Sequence, residues 1–188
     1  MDYFLRLDQQ IFLFINHLPH YWFLNELAKL FSGIGAWGAI WLAISIVLFY
    51  REERRDHWFF APVLLATGVG IILSEYVLKY LIARPRPGID IGAMIVQPTG
   101  NFSFPSTHAT LSFALATVLI AQEPRLRAWL YMLAICISLS RIYLGVHFAF
   151  DVVAGAILGV AIGHAAIFIS KRIRTRYSNN KSSHSHRR

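Results

Sequence analysis

Three stretches of this chain bring together ionisable and hydroxyl side chains: KYLIARPRPG at 79–88, PSTHAT at 105–110 and SRIYLGVHFAFD at 140–151. In the last, His147 and Asp151 are four residues apart, so on a helix they share a face and the carboxylate can accept the proton of one imidazole nitrogen. The other nitrogen then carries a free lone pair. Such a ring can act as a base or a nucleophile, and the bland alternative is an ion pair at a helix rim. In PSTHAT, Ser106 follows the turn-rich QPTGNFSF and precedes an apolar run, as an N-cap or early helical residue does. Backbone N–H groups and the positive dipole end make such a spot a natural anion site. His108, in the first turn, can give a proton to a leaving oxygen. Lys79 ends an apolar run, and Arg84 and Arg86 follow in a proline-stiffened loop. A lysine point charge and an arginine fork together suit a phosphate, although basic residues at helix ends also serve as interfacial anchors. Glu75, four residues before Lys79, is expected to pair with it.

The elements that must position these groups are read from apolar length. The chain has 188 residues, 56% of them hydrophobic and 14% aromatic, above the roughly 45 to 50% apolar content of soluble domains. Windows at 57–80, 128–144 and 148–170 are long enough to cross a bilayer core, which takes about 20 helical residues. Two more, 35–50 and 104–122, are shorter or more polar at one end but hold no Asp, Glu, Lys or Arg. Ahead of them, Leu24, Leu27, Ala28 and Phe31 recur at helical spacing, with Asn25, Glu26 and Lys29 between, the pattern of a helix lying in the interface. The predicted fold class is therefore all-α, a polytopic transmembrane helical bundle of about five spans plus N-terminal interfacial amphipathic helices. Its predicted parts are an interfacial segment at 1–32, a transmembrane domain at 33–176 and a disordered basic tail at 177–188. Gly155, Gly159 and Gly163 recur every four residues in the last span, which predicts close approach of another helix of the same chain.

Orientation follows from charge. The loops at 51–57 and 123–127 and the tail from 171 fall on one side and hold 12 of the 18 Lys and Arg residues, so that side is expected to be cytoplasmic. The net charge of +8 thus reflects topology rather than a nucleic-acid partner. Met1 to Phe14 lacks a basic segment followed by a small-residue cleavage site, so the spans themselves are expected to direct insertion. Cys136 is the single cysteine and reads as a packed apolar residue; His184 and His186 read as part of a solvated tail.

A charge inside or at the rim of a span costs about 2.5 to 3.5 kcal/mol on insertion scales, so such groups face polar cavities and find partners. Lys79, Arg86, Ser106, His108, Arg141, His147 and Asp151 all map to the outward ends of three spans or the loop joining two of them. A transporter or proton relay can also place His, Asp and Arg in a membrane, but the broken spans in two related halves that mark one are not visible.

The three stretches, in this order and spacing, resemble the signature motifs of the type 2 phosphatidic acid phosphatase superfamily, the lipid phosphate phosphatases related to vanadium haloperoxidases. Lys79 with Arg86-Pro87 matches the first motif, Pro105-Ser106-Thr107-His108 the second, and Ser140-Arg141 with His147 and Asp151 the third. The resemblance implies that His147 attacks phosphorus to form a phosphohistidine, oriented by Asp151. His108 would protonate the leaving oxygen and then activate water. Lys79, Arg86 and Arg141 would hold the phosphoryl oxygens with the Ser106 hydroxyl and nearby backbone amides. Three fixed cations replace magnesium in this scheme, so no metal or other cofactor is implied. Thr107 stands where the family has glycine and adds a branched side chain close to the phosphate. The family's six-helix pattern also has a first span that residues 2–32 do not show by composition. The short chain resembles the family's bacterial members that hydrolyse undecaprenyl diphosphate, a polyprenyl carrier lipid of cell-wall synthesis. Phosphatidate, phosphatidylglycerophosphate and lipid A phosphate are the alternatives. The expected setting is a cell membrane crossed several times, with the site outside and the C-terminus in the cytoplasm.

Overall fold

A computed structural model describes residues 2–51, 57–88, 91–92, 94–98 and 100–185. The basic loop at 52–56 and His186 lie outside the described residues. Eight α-helices account for most of the chain: α1 (Asp2–Asn16), α2 (Trp22–Gly35), α3 (Ala39–Arg51), α4 (Phe60–Ile71), α5 (Lys79–Ile82), α6 (Thr107–Gln122), α7 (Arg127–Tyr143) and α8 (Ala149–Ser185). Among the described residues there is no strand beyond a single bridge between Pro85 and Phe102.

Helix α6 is the axis of the bundle. Leu111, Leu115, Val118 and Leu119 are fully buried and so are Ala114 and Ala116 between them, as are the small polar residues Thr110 and Ser112, so the helix is covered on every face. α4, α7 and α8 pack about it. The α8 contact is backbone to backbone: a Cβ on Gly155 would stand 2.7 Å from the Ser106 carbonyl oxygen, one on Gly163 2.7 Å from that of Ala114, and one on Gly159 would overlap that of Thr110. The close approach expected from the glycine repeat is thus made within the chain. The outer helices turn large apolar side chains outward, as Trp129, Met132, Ile135 and Leu139 of α7 do, which suits hydrocarbon and not water.

Among the described residues, four helical stretches are long and apolar enough to cross a membrane, Trp22–Arg51, Phe60–Ile82, Pro124–Tyr143 and Ala149–Asn179, with the shorter apolar Thr107–Gln122 beside them. The first differs from the sequence reading, which starts it at 35. α2 and α3 join through a one-turn 3-10 segment, Ala36–Gly38, bent by left-handed backbone at Trp37 (φ 53°) and Gly38 (φ 78°). The amphipathic pattern of 24–31 arises because α2 packs Ala28, Ser32 and Gly35 inward, while Asn25 accepts a 2.7 Å hydrogen bond from the Tyr143 hydroxyl and Glu26 pairs with Lys29 at 2.8 Å. Interfacial periodicity and a helix half-buried against α7 look alike in sequence. Only α1 stands apart as a separate amphipathic piece, burying Asp8, Phe12 and Asn16 at four-residue spacing while Tyr3, Phe4 and Phe14 stay exposed.

The tail also departs from expectation: α8 runs on as helix to Ser185. No glycine or proline follows Gly163 to stop it.

Candidate active site

Each reactive group is set by a local irregularity. α4 runs into a π-helical segment, Ile72–Leu78, before α5 begins at Lys79 and ends on Ala83 in left-handed backbone (φ 49°). The wider turn carries Glu75 and Lys79 on one side of the chain, and π segments of this kind recur where a helix must re-aim side chains. After α7, Gly145 adopts φ 80°, a conformation that costs glycine little, and the turn delivers His147 to the end of the bundle. Ser106 is the N-cap residue of α6 by position, which sets His108 in the first turn of the helix.

These pieces close around a cavity of about 320 Å³ lined by Lys79, Arg86, Thr107, His108, Arg141 and His147, with Glu75 and the α2 residues Lys29 and Ser32 completing its wall. Six of the eight sequence-predicted residues are thus brought together at its surface. Asp151 and Ser106 stand behind it, both fully buried.

His147 is 2% exposed. Its Nε2 lies 3.3 Å from Nη1 of Arg86. A guanidinium has no lone pair to offer, so Nε2 is the acceptor and the ring proton belongs on Nδ1, which faces the Oδ2 of Asp151 at 3.6 Å. That separation is electrostatic contact rather than a hydrogen bond. Burial first, and then the cations of Arg86, Arg141 and Lys79, hold the imidazole well below its ordinary range, so it is neutral near pH 7. Asp151 is held by other donors: Arg84 Nη1 reaches its Oδ1 at 2.7 Å and the Phe148 N–H its Oδ2 at 2.9 Å.

Around the cavity the cations differ in how far they are committed. Arg86 donates through Nε to the Gly100 carbonyl at 2.7 Å and through Nη1 to that of Val146 at 2.8 Å. Arg141 Nη1 donates to the Ser32 hydroxyl, and its buried Nε has no partner among the described residues. Lys79 Nζ contacts the Oε2 of Glu75 at 2.5 Å, the pairing expected from their spacing. The same oxygen accepts the Thr107 hydroxyl at 2.7 Å, so the threonine in the glycine position has a partner and lies against Glu75. His108 faces Arg141, His147 and the Ser32 carbonyl.

The second motif behaves differently from expectation in one respect. The Ser106 N–H is already used, donating to the Asp151 carbonyl at 3.0 Å, and the Ser106 hydroxyl is buried without a partner among the described residues. That amide ties α6 to α8 and is not free for an anion. Sequence reasoning also left out Ser32 and Asp8. A lone acidic residue four before Phe12 and eight before Asn16 on an otherwise apolar helix face was the available signal for Asp8.

The fold and site together define a helical membrane protein with two buried cations, Lys79 and Arg141, a half-buried one, Arg86, and two histidines around one cavity. The sequence pattern of the PAP2 superfamily matches residues 57–174, and the chain belongs to that superfamily as a membrane phosphatase. It is 28% identical to a lipid A 4'-phosphatase of Porphyromonas gingivalis over 94% of this chain and 78% of that protein. An undecaprenyl-diphosphatase of Bacillus subtilis is 26% identical over 84% of this chain and 81% of its own. The crystal structure of a PAP2-type phosphatidylglycerolphosphate phosphatase from Bacillus subtilis superposes with a TM-score of 0.74 at 25% identity, covering 92% of this chain and 89% of that one. The resemblance read from the three motifs is borne out at the level of the family.

Proposed function

We propose that the chain hydrolyses a lipid phosphate through a phosphohistidine on His147. The observation that carries this reading is the Nε2 of a neutral, buried histidine opening on a cavity walled by Lys79, Arg86 and Arg141. Phosphate oxygens would take the place of the Arg86 contact, with Arg141 and Lys79 on the remaining charge. Nε2 attacks phosphorus and the P–O bond to the departing group breaks; the departing oxygen takes a proton from His108, whose imidazolium is stabilised once the bound phosphate offsets the neighbouring Arg141 charge. His108, now neutral, takes a proton from water, which attacks phosphorus, breaks the N–P bond and releases inorganic phosphate. Asp151 keeps the Nδ1–H directed inward throughout. The cations are side chains, so the scheme needs no metal.

Polyprenyl diphosphate is the substrate favoured by the cavity itself, because Lys29 at its rim adds a fourth cation for a second phosphate. Lipid A 4'-phosphate is the second reading, supported by the relative that aligns over 94% of the chain. The basic residues gathered at the other ends of the spans support a site on the outer face of the cell membrane.

Phosphate release by the purified protein from undecaprenyl diphosphate, lipid A and phosphatidylglycerophosphate, with chelator present, tests the reading. His147→Ala should abolish turnover in a variant that still elutes as folded protein. Undiminished release by that variant, or a requirement for added magnesium, would overturn the scheme. In sealed vesicles, turnover of externally added lipid by right-side-out preparations alone supports the outward site; equal turnover by inverted ones opposes it.

A further inference from the structure

Outside the phosphate cavity, Arg84 contacts Asp151 and is itself held by Asp8. The Arg84 guanidinium is shared between two buried carboxylates, with Nη1 on Asp151 Oδ1 at 2.7 Å and Nη2 on Asp8 Oδ2 at 2.6 Å. Asp8 and Asp151 are 1% and 0% exposed. The remaining oxygens are taken too: Asp8 Oδ1 accepts the Phe150 N–H at 2.8 Å and Asp151 Oδ2 that of Phe148 at 2.9 Å. Arg84 is fixed in turn by the Phe148 ring, 4.3 Å beneath its guanidinium carbon, and by its carbonyl, which accepts the Ser103 N–H at 2.8 Å. α1, the loop after α5 and the start of α8 therefore meet at one guanidinium.

We propose that Arg84 and Asp8 are positioning residues that hold the Asp151 carboxylate and its charge in place behind His147. The inference rests on the reading of His147 as nucleophile, but not on the identity of the lipid. Asp151 is too far from Nδ1 to be oriented by that ring alone; its rotamer is set by Arg84 Nη1 and the Phe148 N–H, and the rigid guanidinium holds its two nitrogens at a fixed separation that the freely rotating donors of a shorter-reaching lysine ammonium do not reproduce. Asp8 keeps the fork shared. It also brings the N-terminal helix, which lies outside the stretch matched by the superfamily pattern, into the support of the site.

The charges that face His147 are Arg86 and Lys79 from the first motif, His108 from α6, Arg141 from α7 and Asp151 from α8. Against this set, the two proposed residues act with opposite sign. Arg84→Gln leaves the Asp151 charge uncompensated and makes His147 hold a proton more tightly; Asp8→Asn frees Arg84 for Asp151 and makes it hold a proton less tightly. Loosened packing would instead move both variants the same way, toward the ordinary imidazole value.

The test is an NMR titration of His147 in the full chain, with nitrogen-labelled imidazoles in detergent micelles and His147→Gln for assignment, alongside steady-state kinetics. The expected result is an upward shift of the titration in Arg84→Gln, a downward one in Asp8→Asn, and a kcat loss of about 10- to 100-fold in Arg84→Gln with KM unchanged, the range seen when a group orienting a functional histidine is removed. Arg84→Lys keeps the charge and loses one contact, so it should lower kcat without moving the titration, and it supplies the measurement if the glutamine variant does not fold. Shifts in the same direction, or no shift, overturn the proposal. A raised KM with unchanged kcat would instead make Arg84 a phosphate ligand and equally overturn it. Opposite shifts in a protein that releases no phosphate from any lipid would keep the positioning role and sink the phosphatase mechanism.

Discussion

Arg86 and His147 share a single line of sight: the lone pair that we propose attacks phosphorus points at a guanidinium nitrogen 3.3 Å away. Neutrality of the ring and readiness of that lone pair therefore have one cause, burial beside the cations that we propose bind the phosphate. The pH dependence follows in sign. His147 must be neutral to attack, and its affinity for a proton is lowered well below the ordinary range, so the acid limb of kcat/KM should fall below pH 6.5, the ordinary histidine value of about 6.5 being its ceiling. An acid limb at or above that pH would contradict the placement. At this scale the motifs were legible because phosphate needs fixed cations and an oriented histidine, and each sits at a short, ordered spacing. Asp8 left only a faint signal, its place on the Phe12 face of α1, since its partner Arg84 is 76 residues away and that pairing has no local mark. The commitment of the Ser106 N–H to Asp151 was hidden for the same reason.

Among elements, the α6–α8 pair holds the second and third motifs in register. Ser106 lies at the start of α6 and Asp151 at the start of α8, and the glycines of α8 let the two backbones touch just below them. Gly159→Ala would drive a methyl into the Thr110 carbonyl, where the neighbour is backbone and cannot swing aside. We expect a loss of about 1 to 3 kcal/mol, the usual cost of overpacking, together with reduced turnover. Thermal unfolding in detergent reads the first; an unchanged midpoint would show that the helices can separate without cost. The spans were legible from apolar length alone. The first one was mis-started, because a helix that packs one face on a neighbour and leaves polar residues at a rim carries the same period as one lying flat. The π segment before Lys79 left no trace in the sequence beyond the Glu75-Lys79 spacing.

For the molecule as a whole, the length of α6 sets a depth. Its 16 residues rise about 24 Å, short of the roughly 30 Å of hydrocarbon in a typical bilayer, while the spans around it exceed 20 residues or reach it. With α6 centred in the bilayer, we expect His108 at its N-terminal end to lie several ångströms beneath the headgroup plane, in a well whose walls are the longer helices. A phosphate must descend into that well, and a lipid does so more readily when the membrane around it is thin. Turnover of one substrate in vesicles should rise as the acyl chains of the host lipid are shortened at constant fluidity; a rate indifferent to thickness would mean that the reaction takes place level with the surface. The protein would then be tuned by the membrane it sits in, its speed a gauge of local bilayer thickness as well as of substrate supply.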